Sequence, residues 1–273
     1  MERLNINLPY ISERKCDVYD PLVFAQAKVD TINKTVGDMK GYDCKECLNR
    51  GYSAYLREDG SFYTSSCKCV GIRRCIREME NSGLKDVMRK YTFENYSDVE
   101  PWQKSVKQGA IQYANNPDGW LLFCGQSGSG KTHLCTAVSR QWLLNGKEVR
   151  YMPWRETVAM LKSMSMESEK RSDFMHAWQN VQILFIDDLF KVGKSADGST
   201  NPTAADVGIA FEILNYRYVN RLITIISTEK SPHELVEIDE ATGSRVLEMA
   251  EKNTFSIKRD RRRNYRLRGM VTV

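Results

Sequence analysis

No stretch of the 273 residues approaches the ~20 consecutive apolar positions that a membrane-spanning helix needs, so no membrane partner is expected. The opening residues, MERLNINLPYISERKCDVYD, lack an apolar run behind a basic start; a secretory signal is not expected, and the expected location is the cytoplasm. There is no internal repeat and no low-complexity tract, which argues against a solenoid or a disordered linker protein. Neither sign of charge dominates: the net charge is +5, with a pI near 8.7. That balance tolerates a nucleic-acid partner without requiring one. What is present is a 41% hydrophobic composition, sufficient for one full-sized core and a smaller appended module.

Eight cysteines in a chain without a secretory signal indicate metal binding and free thiols rather than a disulfide framework. Four of them have ligand spacing: Cys44-x₂-Cys47, a gap of 19 residues, then Cys67-x-Cys69. The intervening GYSAYLREDGSFYTSS alternates in polarity and carries Asp59-Gly60, a hairpin turn signal. A hairpin there would bring the two pairs together as a closed, structural Zn²⁺ site, with Cys75 as a possible substitute ligand. Cys16, Cys124 and Cys135 read as ordinary small or buried residues.

The spacing of Phe24, Ala27, Ile32 and Val36 predicts a helix over 21–39. A basic segment after the cysteines reads as a helix broken at Ser82-Gly83, and TFENYSDVEP as a polar linker. The expected organisation is an arm over 1–40, a cysteine-rich module with its basic helix over 41–91, a linker over 92–100 and an α/β domain over 101–273. In that last part, helices over 101–115, 130–145, 154–180 (two) and 203–221 alternate with the apolar runs WLLFC, KEVRYM, VQILFIDDLF and LITIIST. Such alternation implies a parallel sheet covered on both faces.

Directly after WLLFC, residues 125–132 spell G-x-x-x-x-G-K-T. Gly125, Gln126, Ser127, Gly128, Ser129 and Gly130 form a loop whose backbone N–H groups can converge on polyphosphate oxygens, at the positive end of the next helix. Lys131 is placed to reach the β- and γ-phosphates of ATP, and Thr132 to supply a hydroxyl to Mg²⁺. Asp187, at the end of ILFIDD, can hold the same Mg²⁺, and Asp188 can orient or deprotonate the attacking water. The strand LITIIST ends at Ser227-Thr228-Glu229; Thr228 and Glu229 are candidates for sensing the γ-phosphate, whereas Ser231, with a proline next and Glu234 three residues on, reads as a capping box.

The phosphate loop followed by THL, the IDDLF strand, the NYRY helix end and the IIST strand together resemble the helicase-loader branch of AAA+ ATPases, to which DnaC, DnaI and phage counterparts belong and the transposition helper IstB is related. The resemblance spans residues 41–273. It implies an AAA+ P-loop sheet of strand order 5-1-4-3-2, slow ATP hydrolysis, self-association with ATP, a hexameric replicative helicase as partner and single-stranded DNA as the place where that helicase is loaded; an IstB-like transposition role is the alternative. It also implies that Arg245, in TGSRVLEM, is directed at a neighbouring subunit's ATP, although Met249 stands where relatives have a second arginine. Glu229 stands where relatives place Asn, an acid that would repel the γ-phosphate unless paired. Arg266, in NYR, is expected to face the nucleotide, and the cysteine module to grip the helicase, with nucleic acid as its alternative partner. The run Lys258–Arg268, seven cations in eleven residues, and Lys162, Lys170 and Arg171 in the 155–178 helices are candidate contacts to DNA.

Overall fold

The computed structural model describes residues 20–79, 88, 90–164, 166–193 and 201–267. Cys16, the Ser82-Gly83 break, most of the loop expected over 191–202 and Arg268 lie outside these. The chain divides into two compact units, 1–67 and 68–273, so the segment expected as a linker belongs to the second.

In the first unit, helix α1 (Pro21–Lys34) starts where Asp20 accepts a hydrogen bond from Leu22 N at 2.9 Å and Pro21 takes the first helical position. It stops earlier than the expected Met39. Gly37 lies so close to the 49–50 backbone that a Cβ there would sit 2.4 Å from Asn49 O, and the chain turns away to bond Leu48 O. Strands β1 (Tyr52–Leu56) and β2 (Phe62–Ser66) form the expected hairpin, with Gly60 at φ +82°. Asn33 clasps it to α1, its amide donating to Ala54 O and accepting from Ala54 N.

The second unit opens with α2 (Cys69–Met79), which lies beside the start of strand β4 with Gly71 against Glu148. Then follow α3 (Pro101–Asn115), β3 (Leu121–Gly125), α4 (Lys131–Leu144), β4 (Val149–Pro153), α5 (Trp154–Ser163), α6 (Ser168–Gln179), β5 (Ile183–Leu189), α7 (Ala204–Val219), β6 (Ile223–Thr228), α8 (Pro232–Ile238), α9 (Glu240–Met249) and β7 (Thr254–Ile257). The five strands are parallel in the order β4-β5-β6-β3-β7. Numbered within this domain and read from β7, that is the expected 5-1-4-3-2. β3 is buried along its whole length, hence its unbroken apolar sequence. One core joins Leu122, Ile186 and Ile226 of the sheet to Trp154, Ile213 and Val246 of the helices; across the sheet Tyr113 and Trp142 pack together.

Arg217 is fully buried where α6, α7 and β6 converge. Its guanidinium donates to Thr224 Oγ1 and to the carbonyls of Trp178, Gln179, Val181 and Ile223. Burial pulls its pKa below the usual arginine range; the acceptors, including the carbonyl end of α6, offset that desolvation. Arg217→Ala would leave these carbonyls without donors. It is expected to lower the unfolding free energy by about 3 kcal/mol, seen as a reduced urea midpoint at unchanged slope; a loss under about 1 kcal/mol would show that the acceptors find other donors.

Candidate functional site

The phosphate loop leaves the C-terminal end of β3 through three glycines with left-handed or extended-positive φ: Gly125 at +148°, Gly128 at +73° and Gly130 at +92°. Gly128 has its left-handed φ as the reason for glycine, and a Cβ there would also displace the Asn264 side chain, whose Oδ1 would lie 2.0 Å away. Lys131 opens α4, is 4% exposed, and its Nζ donates to Gly125 O at 2.7 Å and Gln126 O at 2.8 Å. Burial lowers its pKa, while Asp188, Glu229 and Asp187 favour the charged form.

Asp187 is 8% exposed. Thr132 Oγ1 donates to it at 2.9 Å, Tyr151 OH at 3.0 Å, and Ser227 Oγ donates from the neighbouring strand. Burial raises its pKa, as does the adjacent Asp188; the three hydroxyls pull the other way. Thr132 Oγ1 and an Asp187 oxygen are therefore adjacent in a dry site, the hard oxygen pair that suits Mg²⁺.

A cavity of about 480 Å³ opens beside the loop, within the range of small-ligand sites. Its aromatic lining comes from the end of the expected basic helix and from the segment expected to be a linker. Tyr91 stacks on His133 at 4.4 Å, Tyr96 meets the same ring edge-on at 5.2 Å, and His133 Nε2 lies 2.8 Å from Thr92 O. Burial lowers the His133 pKa, which favours a neutral ring suited to stacking. Asp188, Lys191 and Glu229 also line the cavity. Asp188, at φ +59° and held through its N–H by Ser227 Oγ, carries its carboxylate 2.7 Å from Lys191 Nζ; Glu229 lies 2.9 Å from the same nitrogen. The acid at position 229 is thus paired.

Thr228 is fully buried, and its hydroxyl donates to Leu189 O and accepts from Lys230 N; the residue of this strand that touches Asp187 is Ser227. Ser231 and Glu234 form the capping box of α8. The basic run does not stay extended. Among its described residues, 261–263 and 265–267 form short 3₁₀ turns that lie over the phosphate loop. Gln126 pairs with both backbone groups of Asp260, Tyr265 N donates to Gly128 O at 2.8 Å, and Arg266 Nη1 reaches Ser127 Oγ at 3.2 Å. Arg245 does not line this cavity. On α9 it donates to Ala241 O, with its guanidinium 5.5 Å from the ring centroids of Phe211 and Tyr218. Lys162, Lys170 and Arg171 are each ion-paired within the domain, to Asp206, Glu167 and Glu212.

The four expected thiols converge. The Sγ atoms of Cys44, Cys47, Cys67 and Cys69, all buried, lie within 4.8 Å of one another, and Cys44 and Cys67 are 3.7 Å apart. Tetrahedral Zn²⁺ with bonds of about 2.3 Å sets sulfurs about 3.8 Å apart, so the cluster fits that ion. Leu48 and Asn49 take left-handed backbone conformations, Asn49 accepts from Cys44 N, and Gly51 N points at Cys47 Sγ. Cys75 is not in the cluster.

A family model of the bacterial DnaA ATPase domain matches residues 87–250. The chain belongs to that family. The chain is also similar to Bacillus subtilis YqaM, at 34% identity over 217 residues, covering 75% of this chain and 67% of YqaM. The Bacillus subtilis phage-like element PBSX protein XkdC is 29% identical over 232 residues, covering 81% and 84%. The replicative helicase loader DnaC of Escherichia coli is 28% identical over 117 residues, covering 41% of this chain and 48% of DnaC. In fold, the crystal structure of the DnaC helicase loader matches with a TM-score of 0.52 at 21% identity, over 63% of this chain and 98% of that one. Among the described residues, no helix is long and apolar enough to cross a membrane.

Purified protein is expected to contain one zinc per chain by elemental analysis, and Cys67→Ser to lose it. Chelation should unfold the small module, since structural zinc carries ~10–16 kcal/mol of folding energy in comparable peptides, while the AAA+ core keeps its far-ultraviolet signature. Metal-free protein with a protease-resistant module would reject the assignment.

Proposed function

We propose that this protein is an ATP-dependent helicase loader. It binds a ring-shaped replicative helicase, and ATP favours an assembly that places the ring on single-stranded DNA. The observation that carries this reading is the Thr132–Asp187 pair at the mouth of a phosphate loop, in a domain similar to the DnaC loaders. Thr132 and Asp187 would hold Mg²⁺, which supplies charge neutralisation for the β- and γ-phosphates. Lys131 turns from the loop carbonyls to the phosphates, and Arg266 adds a cation from the overlying turn. Asp188 orients the attacking water. The zinc module, with Phe24, Tyr55 and Phe62 exposed, docks on the helicase.

The direct test is co-purification with the replicative helicase of the same host, with and without ATP. ATP-dependent capture, lost in Lys131→Ala and in Cys67→Ser, is expected. Capture of neither helicase nor single-stranded DNA in any nucleotide state would reject the loader reading.

Arg245 is proposed to act on the nucleotide of a neighbouring subunit, where an arginine stabilises charge spreading over the γ-phosphoryl oxygens. Arg245→Ala is expected to keep the monomer's ATP affinity while lowering hydrolysis at least tenfold. Mixing it with Lys131→Ala should restore part of the activity, because mixed interfaces join an intact pocket to an intact arginine. No recovery in co-assembled protein would return Arg245 to a role in packing against Phe211 and Tyr218.

A further inference from the structure

The turn after β5 is fixed by its neighbours. Asp188 and Phe190 both take left-handed conformations, at φ +59° and +60°, which non-glycine residues hold only when the surroundings enforce them. Phe190 is 1% exposed and packs edge-on against Trp154 at 5.5 Å. Lys191 N then bonds back to Asp188 O at 2.9 Å. A core side chain at position 190 thus aims position 191 into the cavity. On the adjacent strand, the buried Thr228 hydroxyl ties β6 to Leu189 O and so fixes where Glu229 emerges.

The Lys191 ammonium lies between two carboxylates, 2.7 Å from Asp188 and 2.9 Å from Glu229. All three side chains line the nucleotide cavity and are about one-third exposed or more. Partly exposed ion pairs contribute little to stability, so the cluster is poorly explained as structural glue. Its chemistry points elsewhere. A triphosphate brings its most negative group to a cavity whose lining already holds Asp188 and Glu229. Lys131 serves the phosphates from the loop side, and among the described residues Lys191 is the cation bonded to both exposed acids. An ammonium has three donors; two are used by the carboxylates and the third is available to a phosphoryl oxygen.

We propose that Lys191 reads the γ-phosphate: it neutralises Glu229 and donates its third N–H to a γ-phosphoryl oxygen, so that the site distinguishes ATP from ADP. This rests on the nucleotide-site reading above. Glu229 is then a fixed anion that keeps the ammonium in place, and the pair does together what a neutral amide would do alone.

The experiment is equilibrium titration of the full chain with Mg²⁺-ADP and with the Mg²⁺ complex of a β,γ-methylene ATP analogue, for the unmutated protein, Lys191→Met, Glu229→Gln and the double variant. Lys191→Met is expected to weaken the ATP analogue at least tenfold while ADP affinity changes less than about twofold; unchanged ADP binding also reports an intact fold. Adding Glu229→Gln to Lys191→Met should recover only part of the lost affinity, because it removes the acid left unpaired but does not replace the missing donor. An unchanged ratio of the two affinities in Lys191→Met, an equal loss for both nucleotides, or full recovery in the double variant would overturn the proposal. Failure of the unmutated chain to bind either nucleotide would instead remove the site reading, and this proposal with it.

Discussion

A carboxylate kept nearly out of water has to be satisfied by the protein, and Asp187 meets that requirement with three hydroxyls from three different elements. Thr132 belongs to the first turn of α4, Tyr151 to β4 and Ser227 to β6. Because each donor has a short reach, their convergence fixes the ends of three parallel strands and the start of the phosphate-loop helix relative to one another. Loss of one donor raises the cost of the charge the others must carry. The same group that is placed for a metal ion is therefore also the lock that sets the mouth of the cavity. Ser227 extends the lock by accepting from Asp188 N, and so ties the second acid to the first.

Most of the strand pattern, the phosphate loop and the thiol cluster were legible in the sequence because each is written in local spacing. A buried parallel strand has to be apolar throughout, the loop has to have glycine where backbone packs on backbone, and paired cysteines have to flank a turn that brings them back together. The rest depends on parts distant in the chain. Tyr151 reads as an ordinary strand aromatic until the sheet order sets β4 beside β5. Thr228 and Glu229 read alike as candidate sensors, but the Thr228 hydroxyl is bonded into the fold at Leu189 O, and the residue of this strand that reaches Asp187 is Ser227. The polar stretch 92–100 carries loop residues, so it read as a linker, and Tyr91 just before it read as the end of a basic helix; only the packing of Tyr91 and Tyr96 on His133 makes them a wall of the cavity.

Charge was the least informative signal. Lys162, Lys170 and Arg171, candidate contacts to DNA by the place of their helices in the resembled family, each have an acidic neighbour within the domain. The run after Lys258, a candidate contact to DNA by its charge, has a backbone that folds into turns bonded to the phosphate loop. Arg217, the one cation of α7, carries more structural consequence than any of these, since it is the only arginine among the described residues that is fully buried.

The 257–267 segment also constrains how the site comes into being. Gln126 is bonded to Asp260, 134 positions further along the chain, and β3 is flanked on one side by β7. Contacts of such separation form late, because closing long loops costs chain entropy before any contact offsets it. During synthesis, the phosphate loop lacks both its strand neighbour and its overlying turns until about residue 267 has left the ribosome. The phosphate-loop region is thus among the last to take its native form: the sheet can close once residues 254–257 have emerged, and the loop gains its overlying turns only with 261–267.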